Sequence, residues 1–234
     1  MDPLVSIGRI AAALGPFVDR VVFVGGAAAP LMISDVRAER IRPTDDVDVI
    51  AETVSYAEHA AFETTLEGLG FAHDTSEGAP ICRWMYDGIV VDVMPTDPSA
   101  LGFTNRWYAY AVETARWTTL PAGARIRTAT PVAFVATKLD AFHSPTRRFA
   151  RDVWASHDLE DLLTVIEGRP EMDAEIEDAR LDVRNYICDS VRTLLSGPDF
   201  ADVVEGHIEG GPGRADRARV LLARLRHIAT FAQG

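Results

Sequence analysis

Three aspartates are the residues whose types and spacing best fit a chemical task. Asp46 and Asp48 lie two apart in residues 44–50 (TDDVDVI), and Asp92 lies in residues 89–94 (IVVDVM). Residues i and i+2 of a strand project to one face, so Asp46 and Asp48 point the same way. A neighbouring strand that carried Asp92 would add a third carboxylate to that face. Because Mg²⁺ and Mn²⁺ prefer oxygen ligands, the three residues predict a divalent-metal site.

The same aspartates have simpler interpretations. Asp46 and Asp48 would cap the following turn if they stood at a strand end, and Asp92 would face solvent from a half-exposed strand. The apolar surroundings argue against both interpretations, because a buried carboxylate is costly unless a partner neutralises it. The first interpretation also makes the nearby glycine turn a coincidence.

The glycine turn is Gly25-Gly26, which follows the strand-like residues 20–24 (RVVFV) and precedes a helix of small residues. Glycine lets the backbone approach a phosphate closely, and a helix N-terminus favours negative charge. Any strand-to-helix turn can use glycine, so the pair is informative only beside the aspartates. Together they predict nucleotide chemistry.

Lys138 is the single lysine among 23 basic residues. A lysine ammonium acts as a compact charge on a phosphate, where the planar arginine fork fits differently. The alternative is an arginine-biased composition in which one lysine has survived without a specific task.

Apolar runs and turn signals predict a mixed α/β half to about residue 128, followed by helices. Asp87-Gly88 between two apolar runs predicts a hairpin with Asp92 on its second strand. Thr130 and Ser156 are predicted N-caps, the first of the helix that carries Lys138. Two or three further helices are expected over 172–232. The predicted domains are 1–128 and 129–234.

The composition is that of an ordinary globular protein, with 47% hydrophobic residues and a net charge of −12. The charge argues against a broad nucleic-acid-binding surface, although a local basic groove stays open. No run approaches the roughly 18 apolar residues of a membrane helix, and the N-terminus lacks the basic start of a signal peptide. The two isolated cysteines indicate reduced thiols, so a cytoplasmic protein without membrane association is expected.

These motifs, in this order, resemble a known family. Gly25-Gly26, then residues 44–49 (TDDVDV) and the later Asp92, resemble the nucleotidyltransferase superfold related to DNA polymerase β. The long interval after Gly26 is more similar to the AbiEii/AbiGii toxin family. Two later segments, residues 135–141 (VATKLDA) and 158–163 (DLEDLL), resemble that family's lysine-bearing helix and its DxxDL motif. The resemblance spans roughly residues 20 to 166.

The resemblance implies an α/β (α+β) fold: a nucleotidyltransferase-type mixed β-sheet with flanking helices as the catalytic domain, then a C-terminal helical bundle. It also implies the transfer of a nucleoside monophosphate from an NTP to an acceptor, with Mg²⁺ or Mn²⁺. The implied metal ligands are Asp46, Asp48 and Asp92. Asp92 would also help to deprotonate the acceptor hydroxyl.

The remaining roles also come from the resemblance. Gly25, Gly26 and Thr44 would contact the nucleotide, and Lys138 would neutralise its β/γ phosphates. Asp161, with Asp158, would lie near the lysine or the acceptor. The sequence departs from the family at Gly26, where many members have serine, so a hydroxyl contact to phosphate would be missing.

Three functions remain open. The first is a toxin that modifies RNA, at the 3′ end of tRNA, with a cognate antitoxin as protein partner. It needs a basic channel, for which the candidates are Arg37, Arg40, Arg42, Arg147, Arg148 and Arg151. The second is an enzyme acting on a small molecule such as an antibiotic, which the acidic charge favours because it attracts cationic substrates. The third is a nucleotide-binding protein without turnover.

Overall fold

The chain divides into two compact units. The computed structural model describes residues 2–35, 44–53, 55–102, 104–145, 149, 151–208 and 213–231. The first unit comprises Met1–Pro30 and Arg42–Ala133, and the second comprises Leu31–Ile41 and Phe134–Gly234. We call them the sheet unit and the helical unit.

Among the described residues, all strands belong to the sheet unit, whereas helices occur in both units. The strands are β1 (Val21–Val24), β2 (Asp46–Ala51), β3 (Ala72–His73), β4 (Arg83–Tyr86), β5 (Ile89–Pro95), β6 (Arg116–Thr119) and β7 (Arg125–Thr128). The helices that precede or alternate with them are α1 (Pro3–Leu14), α2 (Gly25–Ala28), α3 (Tyr56–Gly68), α4 (Pro98–Leu101) and α5 (Tyr108–Glu113). They are followed by α6 (Pro131–His143), α7 (His157–Gly168), α8 (Met172–Glu177), α9 (Leu181–Leu195), α10 (Phe200–His207) and α11 (Arg214–Ile228). Short 3-10 helices cover Gly15–Arg20 and Ala29–Leu31.

The seven strands form one mixed sheet in the order β3-β4-β5-β2-β1-β7-β6. The pairs β2/β5 and β1/β7 are parallel, and the other neighbours are antiparallel. Strand β2 is therefore central, with its last three residues, from Val49 to Ala51, fully buried. The parallel partner β5 follows it only after α3, as a parallel pair requires a crossover. The predicted fold class, a mixed sheet with flanking helices and C-terminal helices, is confirmed.

The predicted hairpin is present as β4 and β5. Tyr86 pairs with Ile89, so two residues alone make the turn. Both have positive φ, 47° at Asp87 and 75° at Gly88. This conformation matches the right-handed twist of the flanking strands. A two-residue turn fixes the register of the hairpin, and Arg83 therefore pairs with Asp92.

Helix starts follow the predicted caps. The Thr130 hydroxyl accepts a hydrogen bond from the Ala133 amide, and the Ser156 hydroxyl accepts one from Leu159. At the chain start Asp2 accepts from the Leu4 amide, with Pro3 at the first helical position. Each cap satisfies an amide that has no partner inside its own helix.

The described part of the helical unit contains four helices after α7, where two or three were expected. The unanticipated break separates α8 from α9 at residues 178–180, which include neither glycine nor proline. Helix α11 packs against α8, α9 and α10, and its buried residues include Leu221 and Leu225. No described helix combines the length and the apolar character that a bilayer crossing requires.

A buried histidine makes the stability of the sheet unit depend on pH. His59 of α3 is 3% exposed, with Nδ1 3.5 Å from the Thr53 hydroxyl and Nε2 3.5 Å from a Glu63 oxygen. Burial lowers the pKa of His59 below 6.5, against the raising effect of Glu63. The unfolded chain therefore binds the proton more readily than the folded chain does. As a result, the folded state loses stability as the pH falls below 6.5.

We expect the free energy of unfolding to fall between about pH 8 and about pH 5.5, and His59→Gln to reduce that decline. Urea unfolding at both pH values measures it. His157→Gln changes an exposed histidine and serves as the control. Equal pH dependence in the wild type and His59→Gln would contradict the assignment.

Candidate functional site

The three predicted aspartates meet because of strand register. In the parallel pair β2/β5, Asp48 lies beside Asp92. Asp46 is two residues earlier on β2 and so shares the face of Asp48. Further along the same face, β2 and β5 present buried Ile50 and Met94. The carboxylates therefore share one face of the sheet with buried apolar side chains.

Each aspartate offers a carboxylate oxygen, and the three oxygens lie within 4.8 Å of one another. The side chain of Asp46 is 35% exposed and that of Asp92 is 11% exposed. A set of three hard oxygen donors that is partly open to solvent fits Mg²⁺ or Mn²⁺, which retain waters beside one or two carboxylates. We call Asp46, Asp48 and Asp92 the carboxylate cluster.

Gly25 makes room for this cluster. It follows β1 directly, has φ of +73°, and a Cβ built on it would lie 2.5 Å from Cγ and 2.7 Å from Cβ of Asp48. Any other residue type would collide with the carboxylate and adopt an unfavourable backbone conformation. The following helix, α2, has four residues, so a helix dipole adds little there. Phosphate binding by Gly25 and the buried Gly26 stays a prediction that depends on their backbone amides.

Arg83 is the site residue that was missed from the sequence. Its Nε and Nη2 donate to the two oxygens of Asp92, each at 2.8 Å, and Nη2 lies 3.9 Å from Asp46. This hydrogen bonding raises the pKa of Arg83 above its usual value. The Asp87-Gly88 turn in the sequence could have revealed Arg83. Counting outward from a two-residue hairpin loop pairs residue 83 with residue 92.

Two further neighbours define the character of the cluster. The Thr44 hydroxyl donates to Asp46 at 2.6 Å and so orients that carboxylate. Cys82 is buried, and burial, reinforced by the charges of Asp92 and Asp48, raises the pKa of its thiol to about 12. The thiol therefore remains protonated at neutral pH.

The other predicted residues form a second group, inside the helical unit. The Lys138 ammonium donates to Asp158 at 3.0 Å and to Asp161 at 2.7 Å. Asp161 is 1% exposed, and Asp158 lies in the first turn of α7. The lysine and the two aspartates of the DxxDL segment thus lie together, as the resemblance implied for Asp161.

Most of the arginines that were predicted to contact RNA lie outside the described residues. These are Arg37, Arg40, Arg42, Arg147 and Arg148. Arg151 is exposed. Three aromatic residues between α4 and β6, Trp107, Tyr108 and Tyr110, are each at most 8% exposed, so they pack in the core and offer little surface for stacking on a base. Among the arginines of α11, Arg217 pairs with Glu167 and Arg224 with Asp173.

Comparison with known proteins adds no identification. No protein-family model matches the chain, and no curated protein matches it.

The first prediction for the site concerns Gly25→Ala. We expect a loss of about 2–4 kcal/mol of stability, from the positive φ and the collision with Asp48. Urea unfolding measures it. The control is Gly123→Ala, whose φ is +90° and whose built Cβ meets no described atom within 4 Å. It should lose only about 1 kcal/mol. Equal losses would show that crowding by Asp48 is unimportant.

The second prediction concerns Lys138→Met. The change leaves the buried Asp161 carboxylate without its ammonium partner, which should cost about 3 kcal/mol of stability. Lys138→Met/Asp161→Asn removes that charge and should recover part of the loss. Urea unfolding of both variants measures the difference. A double variant no more stable than the single one would show that the lysine contributes through packing alone.

Proposed function

We propose that this protein is a nucleotidyltransferase that uses Mg²⁺ or Mn²⁺ to transfer a nucleoside monophosphate from an NTP to a hydroxyl acceptor, with release of pyrophosphate. The observation that carries the proposal is the carboxylate cluster, in which strand register gathers three oxygens beside the glycine turn. Structural sites seldom collect three carboxylates, because their mutual repulsion destabilises the fold. Binding of a polyanionic substrate through a cation would explain why three carboxylates lie together here.

Each residue has a proposed part in that reaction. Asp46 and Asp48, with Asp92 within reach, would hold the cation. A bound divalent ion would supply charge neutralisation at the α-phosphate and the leaving pyrophosphate. Thr44 would keep Asp46 oriented. Gly25 and Gly26 would offer backbone amides to the triphosphate. Preorganised charge and positioning would provide most of the rate enhancement.

The second group, Lys138 with Asp158 and Asp161, has a proposed role that depends on the resemblance. The two aspartates hold the lysine ammonium at a fixed place in the helical unit. The resemblance implies that this ammonium would neutralise the β/γ phosphates of the nucleotide.

The acceptor we propose is the 3′ end of an RNA such as tRNA, in a toxin that is paired with an antitoxin protein. The resemblance to the AbiEii/AbiGii family supports this choice. A small cationic acceptor, such as an antibiotic, is the second candidate, because the net charge of −12 would attract it.

The test is a transfer assay with each of the four α-labelled NTPs, Mg²⁺ and total tRNA. A parallel set replaces tRNA with aminoglycosides. We expect label on tRNA with the wild type, and a loss of at least about 10³-fold for Asp48→Asn, which keeps the shape of the side chain and removes its charge.

Asp45→Asn is the matched control, because Asp45 is exposed and adjoins the cluster on the same strand end. It should retain wild-type activity. Label on aminoglycosides alone would favour the small-molecule acceptor. No transfer to either acceptor would contradict the proposed activity, and equal activity of Asp48→Asn would contradict the metal assignment.

A further inference from the structure

The carboxylate cluster contains a cation of its own. Arg83 enters from β4, opposite Asp92 in the antiparallel pair. Its guanidinium donates to Oδ1 and Oδ2 of Asp92 through two parallel hydrogen bonds of 2.8 Å. Such a fork is the strongest arrangement that arginine makes with a carboxylate. Both carboxylate oxygens of Asp92, one of the proposed metal ligands, are therefore already hydrogen-bonded.

The three aspartates are not equivalent in this respect. Asp46 lies 3.9 Å from the same guanidinium, beyond hydrogen-bond distance, and accepts from Thr44 instead. Asp48 lies against Gly25. Asp92 is also more enclosed than Asp46, at 11% against 35% side-chain exposure. The geometry therefore separates Asp92, whose two oxygens both accept from the arginine, from Asp46, which lies near the guanidinium without a hydrogen bond to it.

Charge gives the same division. Three carboxylates and one guanidinium sum to −2, which one divalent cation balances. A cation that contacted Asp92 would stand beside a positive charge with little solvent between them, and the repulsion between like charges is strong in such a setting. A cation held by Asp46 and Asp48 would leave the two hydrogen bonds from Arg83 to Asp92 in place.

We propose that Arg83 withholds Asp92 from the cation, so that Asp46 and Asp48 are the only two of the three aspartates that coordinate it. Arg83 is then a positioning residue, and Asp92 is its anchor. This inference rests on the proposed function and refines it, because it reduces the number of coordinating carboxylates from three to two.

The test is a calorimetric titration with Mn²⁺ alone, without nucleotide, so that it does not depend on turnover. The decisive variant is Arg83→Gln/Asp92→Asn. It replaces the ion pair by an amide pair, leaves the cluster at −2, and buries no unpaired charge. If Asp92 is not a ligand, the Mn²⁺ affinity of this variant should lie within about threefold of the wild-type affinity. If Asp92 is a ligand, loss of its carboxylate should weaken the affinity about tenfold or more.

Arg83→Gln alone should act in the opposite direction. It frees Asp92 to coordinate, and we expect Mn²⁺ to bind about tenfold more tightly. Arg9→Gln is the control for net charge, because Arg9 pairs with Asp87 at the turn of the same hairpin, about 16 Å along β5 from Asp92. It should leave binding unchanged. Thermal unfolding shows which variants are folded.

The outcomes separate this inference from the proposed function. Wild-type-like binding by the double variant, with tighter binding by folded Arg83→Gln, supports it. A double variant weakened about tenfold would overturn it while leaving the metal site in place. Unchanged binding by folded Arg83→Gln would also overturn it. Absence of Mn²⁺ binding in the wild type would overturn both this inference and the metal site of the proposed function.

Discussion

Repulsion among three neighbouring carboxylates is the constraint on which the rest of the sheet unit depends. The parallel register of β2 and β5 places Asp48 beside Asp92, and the strand repeat adds Asp46. Like charges at this separation destabilise the folded chain unless other groups compensate. Arg83 on the adjoining strand supplies one positive charge, and the remaining excess negative charge suits a cation. The cluster thus costs stability, and the proposed metal site would explain why the chain carries it.

The residues around the cluster share a second requirement, which is space. Asp48 fits against Gly25 because that residue has no side chain and adopts a positive φ. Thr44 orients Asp46 by a hydrogen bond. Nearby Cys82 stays uncharged in its buried position and adds nothing to the repulsion. Each of these short-range features helps to accommodate three carboxylates in one small region of the sheet unit.

The helical unit solves a similar problem in the opposite way. There the buried carboxylate of Asp161 pairs with Lys138, and the same ammonium also pairs with Asp158. An isolated buried charge would be costly, whereas a paired and hydrogen-bonded one is tolerated. The group is therefore consistent with a structural role as well as with the proposed contact to phosphate. The Lys138 and Asp161 variants distinguish what each charge contributes to folding.

Local features were predictable from the sequence because local rules fix them. The caps at Thr130 and Ser156 and the turn at Asp87-Gly88 each depend on a few adjacent residues. The break between α8 and α9 was not foreseen, since no glycine or proline marks it. Arg83 was predictable by counting across the turn. Residues 83 and 92 each lie three positions from the pair that closes the turn, Tyr86 and Ile89.

The sequence by itself determined that Asp46 and Asp48 share a face and that residue 92 lies on the second strand of a hairpin. Alternation along a strand and a two-residue turn are sufficient for both. Only the tertiary structure decided that Asp48 lies beside Asp92, and that Lys138 meets Asp158 and Asp161. A parallel pair is joined by a long crossover, whose length sets no register. The register comes instead from packing of the buried apolar residues on the strands, which no local pattern specifies.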